Sequence, residues 1–170
     1  MPGEYITPRD NRLLELFWKA KGAQQGDMKN QCDMKGYEGF SRVIGVSWGV
    51  EGPVDQQSGQ RTGQRILEPL VITKKIDHST PSLTQAMVNN EVIKESEFAY
   101  VDVPGHQTQG QKMVRILTIK TENGAISKIE AGTTPEGLLI EKIHLLFNKI
   151  TWRHEIAKTE ATDERVGNTG

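Results

Sequence analysis

The sequence predicts an all-β chain with one short helix, and three observations carry that reading. Apolar and polar residues alternate with period two through most of the chain. Clusters of Gly, Pro, Asn and Asp separate the alternating runs. Only within residues 71–91, VITKKIDHSTPSLTQAMVNNE, does a strand stop at a charged turn and the chain restart with helical spacing. About seven strands and one helix make a sandwich or partly closed barrel the expected architecture, with the helix plugging an open edge or end.

The first run is Leu13 to Lys21, with Leu14, Leu16, Trp18 and Ala20 on one face and Leu13, Glu15, Phe17 and Lys19 on the other. In GFSRVIGVSWGV the alternation predicts Phe40, Ile44, Val46 and Trp48 facing the core. It places Val43, Gly45 and Ser47 on the opposite, small and weakly polar face. Glu51 to Gln64, EGPVDQQSGQRTGQ, has no periodicity and reads as a long loop. Strand spacing resumes in QRILEPLVITKKI, where Pro69 marks an edge or bulge. For the helix, Thr80 is the expected N-cap, with its hydroxyl accepting from first-turn amides, and Pro81 occupies N1. Leu83, Ala86 and Met87 form its apolar stripe, and Asn89 and Asn90 are left-handed terminators.

Four strand-like runs follow, Ile93 to Val103, Met113 to Thr121, Ala125 to Ala131 and Leu138 to His154. PGHQTQGQ and GTTPEG are loops between them, and Asn123-Gly124 predicts a two-residue type I′ turn. The last run is apolar on both faces and long enough to span more than one sheet. The expected organisation is an N-terminal extension at 1–12, a barrel domain at 13–157 and a mobile C-terminal tail at 158–170.

Composition narrows function. The 170 residues suit one domain with its own core, and 21 basic against 22 acidic residues give a net charge of −1. That balance gives no global attraction for nucleic acid or anionic lipid. Cys32 is the single cysteine, which rules out an intramolecular disulfide and an all-thiolate zinc site. No apolar run is long enough for a membrane span, and the early Glu4, Arg9, Asp10 and Arg12 do not fit a Sec-type signal peptide. Export would then use another machine.

A search for chemistry finds no site. His78, His106, His144 and His154 lack the spacing of a metal pair, and no metal or cofactor is expected. Cys32 in NQCDM has no nucleophile context, and GQRTGQR lacks both P-loop spacing and a following helix. Glu95, Glu97 and Asp102 straddle both faces of one strand and read as solvated. Trp18, Trp48 and Trp152 read as core rather than as a stacking platform. No catalytic residue is assigned, and a non-catalytic role is expected.

The pieces KGYEGFSRVIGVSWGV, DQQSGQRTGQRILEPLVITKKIDHSTPSL and NKITWRHE, in this order, resemble the Hcp (haemolysin-coregulated protein) family, the inner tube of the bacterial type VI secretion system. Ile-Thr-Lys-Lys-Ile-Asp followed by Ser-Thr-Pro is the most specific part, and the similarity runs from about Leu13 to Ile156. The first strand matches only loosely, and residues 1–12 precede the usual start. The resemblance implies two β-sheets forming a barrel flanked by the helix. It also implies a homo-oligomeric six-membered ring, stacked rings, and partners among sheath, spike or baseplate components and effector proteins. The protein would reside in the bacterial cytoplasm before firing and then be secreted to the medium or a target cell without a signal peptide. On this reading Gln57, Ser58, Gln60, Arg61 and Arg65 make ring or stacking contacts, and Val43, Gly45 and Ser47 face the lumen. The alternatives are a phage-tail-tube-like subunit, and a monomeric β-barrel enzyme or ligand-binding domain.

Overall fold

The computed structural model describes residues 13–103 and 113–165. The predicted extension at 1–12, His106 with the loop around it, and residues 166–170 lie outside this range. In chain order the elements are β1 (Leu13–Gly22), β2 (Gly26–Asp27), β3 (Ser41–Ser47), β4 (Val50–Glu51), β5 (Ile66–Leu67) and β6 (Leu70–Lys75). Then come α1 (Thr80–Val88), β7 (Ile93–Val103), β8 (Val114–Thr133), β9 (Leu139–Leu146), β10 (Lys149–His154) and β11 (Thr159–Glu164).

Strands β8, β7, β1, β3, β6 and β9 pair in that order, and β9 returns to β8, so the sheet closes into a six-stranded barrel. Closure leaves these six strands with paired neighbours on both sides, while β11, paired only with β10, remains an edge strand. Strand β8 is long enough to serve two neighbours on one side. Its first half pairs with β10 through Leu117 to Glu122, and its second half pairs with β9 from Ala125 to Thr133. The expected Asn123-Gly124 hairpin turn is therefore absent, and the chain runs straight through it. Asn123 alone takes a positive φ of 51°, and Gly124 is needed because a Cβ there would collide with the carbonyl oxygen of Leu146. The run 138–154 breaks at Phe147 and Asn148 into β9 and β10, which belong to one sheet and not to two as expected; β9 pairs with β6 and β8, and β10 with β8 and β11.

The barrel interior holds Trp18, Leu70, Ile72, Phe98, Ile119, Ile143, Leu145 and Ile150, all at most 2% exposed. Helix α1 packs against β8 and contributes Leu83 and Ala86 to this core, while Met87 stays exposed. A second cluster lies on the outer side of β1 and β7, where Tyr37 stacks on Phe17 at 4.4 Å and meets Phe40 edge-on at 5.5 Å. Phe40 thus belongs to this outer cluster and not to the interior face of β3.

A bulge in β3 accounts for the other departures from alternation. Val43 pairs with Lys74 and Gly45 with Thr73, so Ile44 is an extra residue that swaps the two faces. Val43 is buried in the barrel core, which corrects its expected lumen position, and Ile44 is 54% exposed. Beyond the bulge Val46 points inward, and Gly45 and Ser47 lie on the opposite face. The expected tail is also corrected in part, because Thr159–Glu164 forms β11, paired along its length with β10.

Candidate assembly surfaces

The segment that reads as a loop is a projecting β-hairpin. Val50 pairs with Leu67 and Glu51 with Ile66, and an isolated bridge joins Val54 to Arg61. Its tip is turned by Asp55, whose carbonyl accepts from Gly59 N at 2.8 Å and whose carboxylate accepts from Gln57 N at 2.8 Å. Gly59 takes a φ of +69°, which this tight tip requires. Gln57, Ser58, Gln60 and Arg61 are all exposed at or near the tip. The structure therefore brings four of the five predicted loop contact residues together.

Arg65 is the exception, since it is engaged within its own subunit. Its guanidinium donates to both carboxylate oxygens of Asp163 on β11, with Nε at 2.6 Å, and to the carbonyl of Glu164 at 2.8 Å. This hydrogen-bonded pairing holds the Asp163 carboxyl below the usual range and raises Arg65. The sequence offers no local signal for it, because the partners stand 98 positions apart.

The outer face of β1, β7, β8, β10 and β11 carries charges in register. One row reads Lys21, Glu95, Glu122, Lys149 and Glu164, and the next reads Lys19, Glu97, Lys120, Thr151 and Thr162. Ion pairs tie parts of it together, Lys19–Glu97 at 3.4 Å, Arg115–Glu97 at 2.6 Å and Lys149–Glu122 at 3.1 Å. A shallow depression of about 400 Å³ lies over these rows, lined by both signs of charge. It is a solvated surface of mixed charge.

Exposed apolar side chains also occur near the barrel's β1–β3 pair. Leu14 and Ile44 are each at least half exposed and share a groove with Arg42 and Glu15, across the β1–β3 pair. Trp48 is 42% exposed and packs on Trp152, so of the three tryptophans only Trp18 is fully core. Burial raises the Tyr100 phenol beside them, against a smaller lowering by its hydrogen bond with Trp48.

The motif that dominates the sequence resemblance is not on any of these surfaces. Lys74, fully buried, lies on the same face of β6 as Leu70 and Ile72, and that period-two placement was the overlooked signal. Its Nζ donates to Glu141 Oε1 at 2.5 Å, Asp77 Oδ1 at 2.8 Å and the Lys75 carbonyl at 3.3 Å, one acceptor for each proton. Asp77 also accepts from the Ser79 amide at 2.9 Å and hydroxyl at 2.5 Å and from Asn30 Nδ2 at 2.8 Å. Burial raises the Asp77 carboxyl, but the bonds from Lys74 and Ser79 outweigh it and leave it lowered. Thr80 corrects the expected cap. Its hydroxyl accepts from the Asp77 amide at 3.0 Å and donates to Glu141 at 2.8 Å, and Ser79 is the N-cap. The Asp77 amide thus occupies the oxygen that would have accepted from the first turn, and the buried carboxylate of Glu141 takes the proton.

Among the described residues no group of His, Cys, Asp and Glu is arranged to hold a metal. Cys32 packs against the outer aromatic cluster. Among the described residues no helix is long and apolar enough to cross a membrane.

Comparison with known proteins agrees with the barrel. Residues 17–154 match the family described as "Type VI secretion system effector, Hcp". The chain is 30% identical over 146 residues to the "Major exported protein" of Pseudomonas aeruginosa, covering 84% of this chain and 85% of that protein. Among solved structures, Hcp1 of E. coli EAEC 042 superposes with a TM-score of 0.80 at 25% identity, covering 89% of this chain and 99% of that one. A second Hcp crystal structure also gives 0.80, at 26% identity, covering 91% of this chain and 100% of that one. The chain therefore belongs to the Hcp family of type VI secretion, a family of secreted, homo-oligomeric structural proteins rather than enzymes.

Proposed function

We propose that this chain is the tube subunit of a type VI secretion system. Six copies close into a ring, rings stack into the inner tube, and the tube is expelled with effector proteins in its lumen. Sheath and spike or baseplate components are the other partners. The protein is held in the bacterial cytoplasm before firing and leaves it without a signal peptide.

The projecting hairpin 50–67 is the observation that carries this reading. In a barrel that closes on itself, it projects an exposed tip, residues 54–64, away from the core. A ring needs two unlike patches that fit head to tail. The hairpin supplies one, and the exposed groove lined by Leu14, Ile44 and Arg42 across β1 and β3 supplies the other. Gly45 and Ser47 are assigned to the lumen wall, where the space above Gly45 is open.

Removing residues 56–63 and joining Asp55 to Gln64 tests the reading. The cooperative melt should stay nearly unchanged, because the tip contributes little to the core, while rings and their stacks disappear from light scattering and negative-stain images. A wild-type protein that stays monomeric at high concentration and low salt overturns the ring. Ser47→Glu should leave rings intact and block cargo; rings that fall apart instead would place Ser47 in an interface.

A further inference from the structure

Both legs of the hairpin rest on the β10–β11 ribbon. On the incoming leg Trp48 packs against Trp152 of β10, with ring centroids 5.5 Å apart and planes tilted by 43°. On the outgoing leg Arg65 grips Asp163 of β11 through two guanidinium nitrogens and reaches the Glu164 carbonyl at 2.8 Å. Arg165 answers from beyond β11, donating from Nη2 to the carbonyl of Leu67 at 3.0 Å and from its amide to Asn148. Trp152 stands opposite Ala161 in the ribbon, two residues from Asp163, so the anchors lie side by side.

We propose that the C-terminal β10–β11 ribbon is a strut that fixes the angle of the hairpin to the barrel, with Arg65–Asp163 and Trp48–Trp152 as its positioning contacts. Within itself the hairpin has two register pairs and one bridge, and a lone two-stranded hairpin is marginal in water. Its direction must therefore be set at the base. A single contact would leave a pivot. A bidentate arginine–carboxylate pair fixes orientation as well as position, and the tryptophan pair on the other leg gives a second point. The segment that reads as a tail thereby becomes the element that aims the hairpin.

The strut is a property of one subunit. Its consequence, that the ribbon controls assembly, rests on the contact role proposed above for the hairpin, and the two are separable by experiment. Spin labels on Gln57→Cys and Lys94→Cys, in a Cys32→Ser background and diluted into unlabelled protein, report the hairpin-to-barrel distance distribution. It should be narrow in the intact protein and roughly twice as wide in Asp163→Asn and in Trp152→Ala, wider still in the double variant. Exchanging the charges, Arg65→Asp with Asp163→Arg, should narrow it again. Asp163→Asn keeps the shape of the side chain, so the test survives if Trp152→Ala fails to fold. An unchanged width in folded Asp163→Asn, or in the folded double variant, overturns the strut. A widened distribution with ring stacking intact supports the strut and removes the hairpin as the stacking contact.

Discussion

Replacing Lys74 by methionine removes the cation from a cluster that holds two carboxylates. Lys74 and Glu141 are both fully buried, with Nζ and Oε1 2.5 Å apart. At an effective dielectric near 20 their attraction is about 6–7 kcal/mol, and the cost of desolvating each ion is several kcal/mol, so the intact pair is near balance. Removing one partner breaks that balance, because Glu141 stays buried with only Thr80 donating to it. Truncations of this kind cost about 3–5 kcal/mol. For a chain of this size that lowers Tm by roughly 6–20 °C. Asp77 is better placed, since Ser79 and Asn30 still donate to it.

The assay is urea unfolding at fixed protein concentration, which keeps any contribution from assembly constant. Lys74→Met should shift the midpoint strongly at unchanged slope. The double variant Lys74→Met with Glu141→Leu should recover most of the loss, because an apolar pair of similar volume replaces a desolvated ionic one. A Lys74→Met protein within about 1 kcal/mol of wild type, or a double variant no better than the single, would refute the reasoning.

Three further outcomes can be measured on the same footing. Gly124→Ala places a methyl against the Leu146 carbonyl, a backbone atom that cannot move aside, and should cost about 2–4 kcal/mol in unfolding free energy. A near-neutral result would mean that the β8–β9 crossing is loose. Leu83→Ala opens a cavity under α1 and should cost about 2–5 kcal/mol; less than about 1 kcal/mol in the same assay would show that the helix does not seal the core. The folded-state pKa of Asp77 is lowered, so its contribution is present above the carboxylate's unfolded pKa and lost as pH falls through the lowered folded value. The urea midpoint should thus drop on acidification, and Asp77→Asn should flatten that drop; an equal slope in the variant would assign the acid sensitivity to other carboxylates.

What the sequence made legible was whatever short-range spacing determines. The period-two runs placed β1, β6 and β7, and the Pro81 signal placed α1 within a residue. Misreadings arose where a distant partner decides. The bulge at Ile44 is set by pairing with Thr73 and Lys74, so strict alternation carried Val43 to the wrong face. Asn123-Gly124 has the composition of a turn, but β7 and β9 hold both sides of β8 and keep it extended. TEATDE has almost no apolar content and reads as tail, yet six residues of β10 supply its ladder.

The same division explains why the family was more legible than the assembly. Lys74, Asp77, Ser79 and Thr80 fall within seven consecutive positions and close on Glu141, and each member satisfies another that would otherwise be buried unpaired. Such a unit can be recognised from its own letters, because the bonds among Lys74, Asp77, Ser79 and Thr80 join positions two or three apart. An exposed hairpin contains no such cross-check. Gln57, Ser58, Gln60 and Arg61 would fold equally well facing water or another copy, so their partner is not written in their own sequence. What constrains the hairpin is its base, where Trp48 and Arg65 meet Trp152 and Asp163, and the direction in which it points is the first quantity to measure.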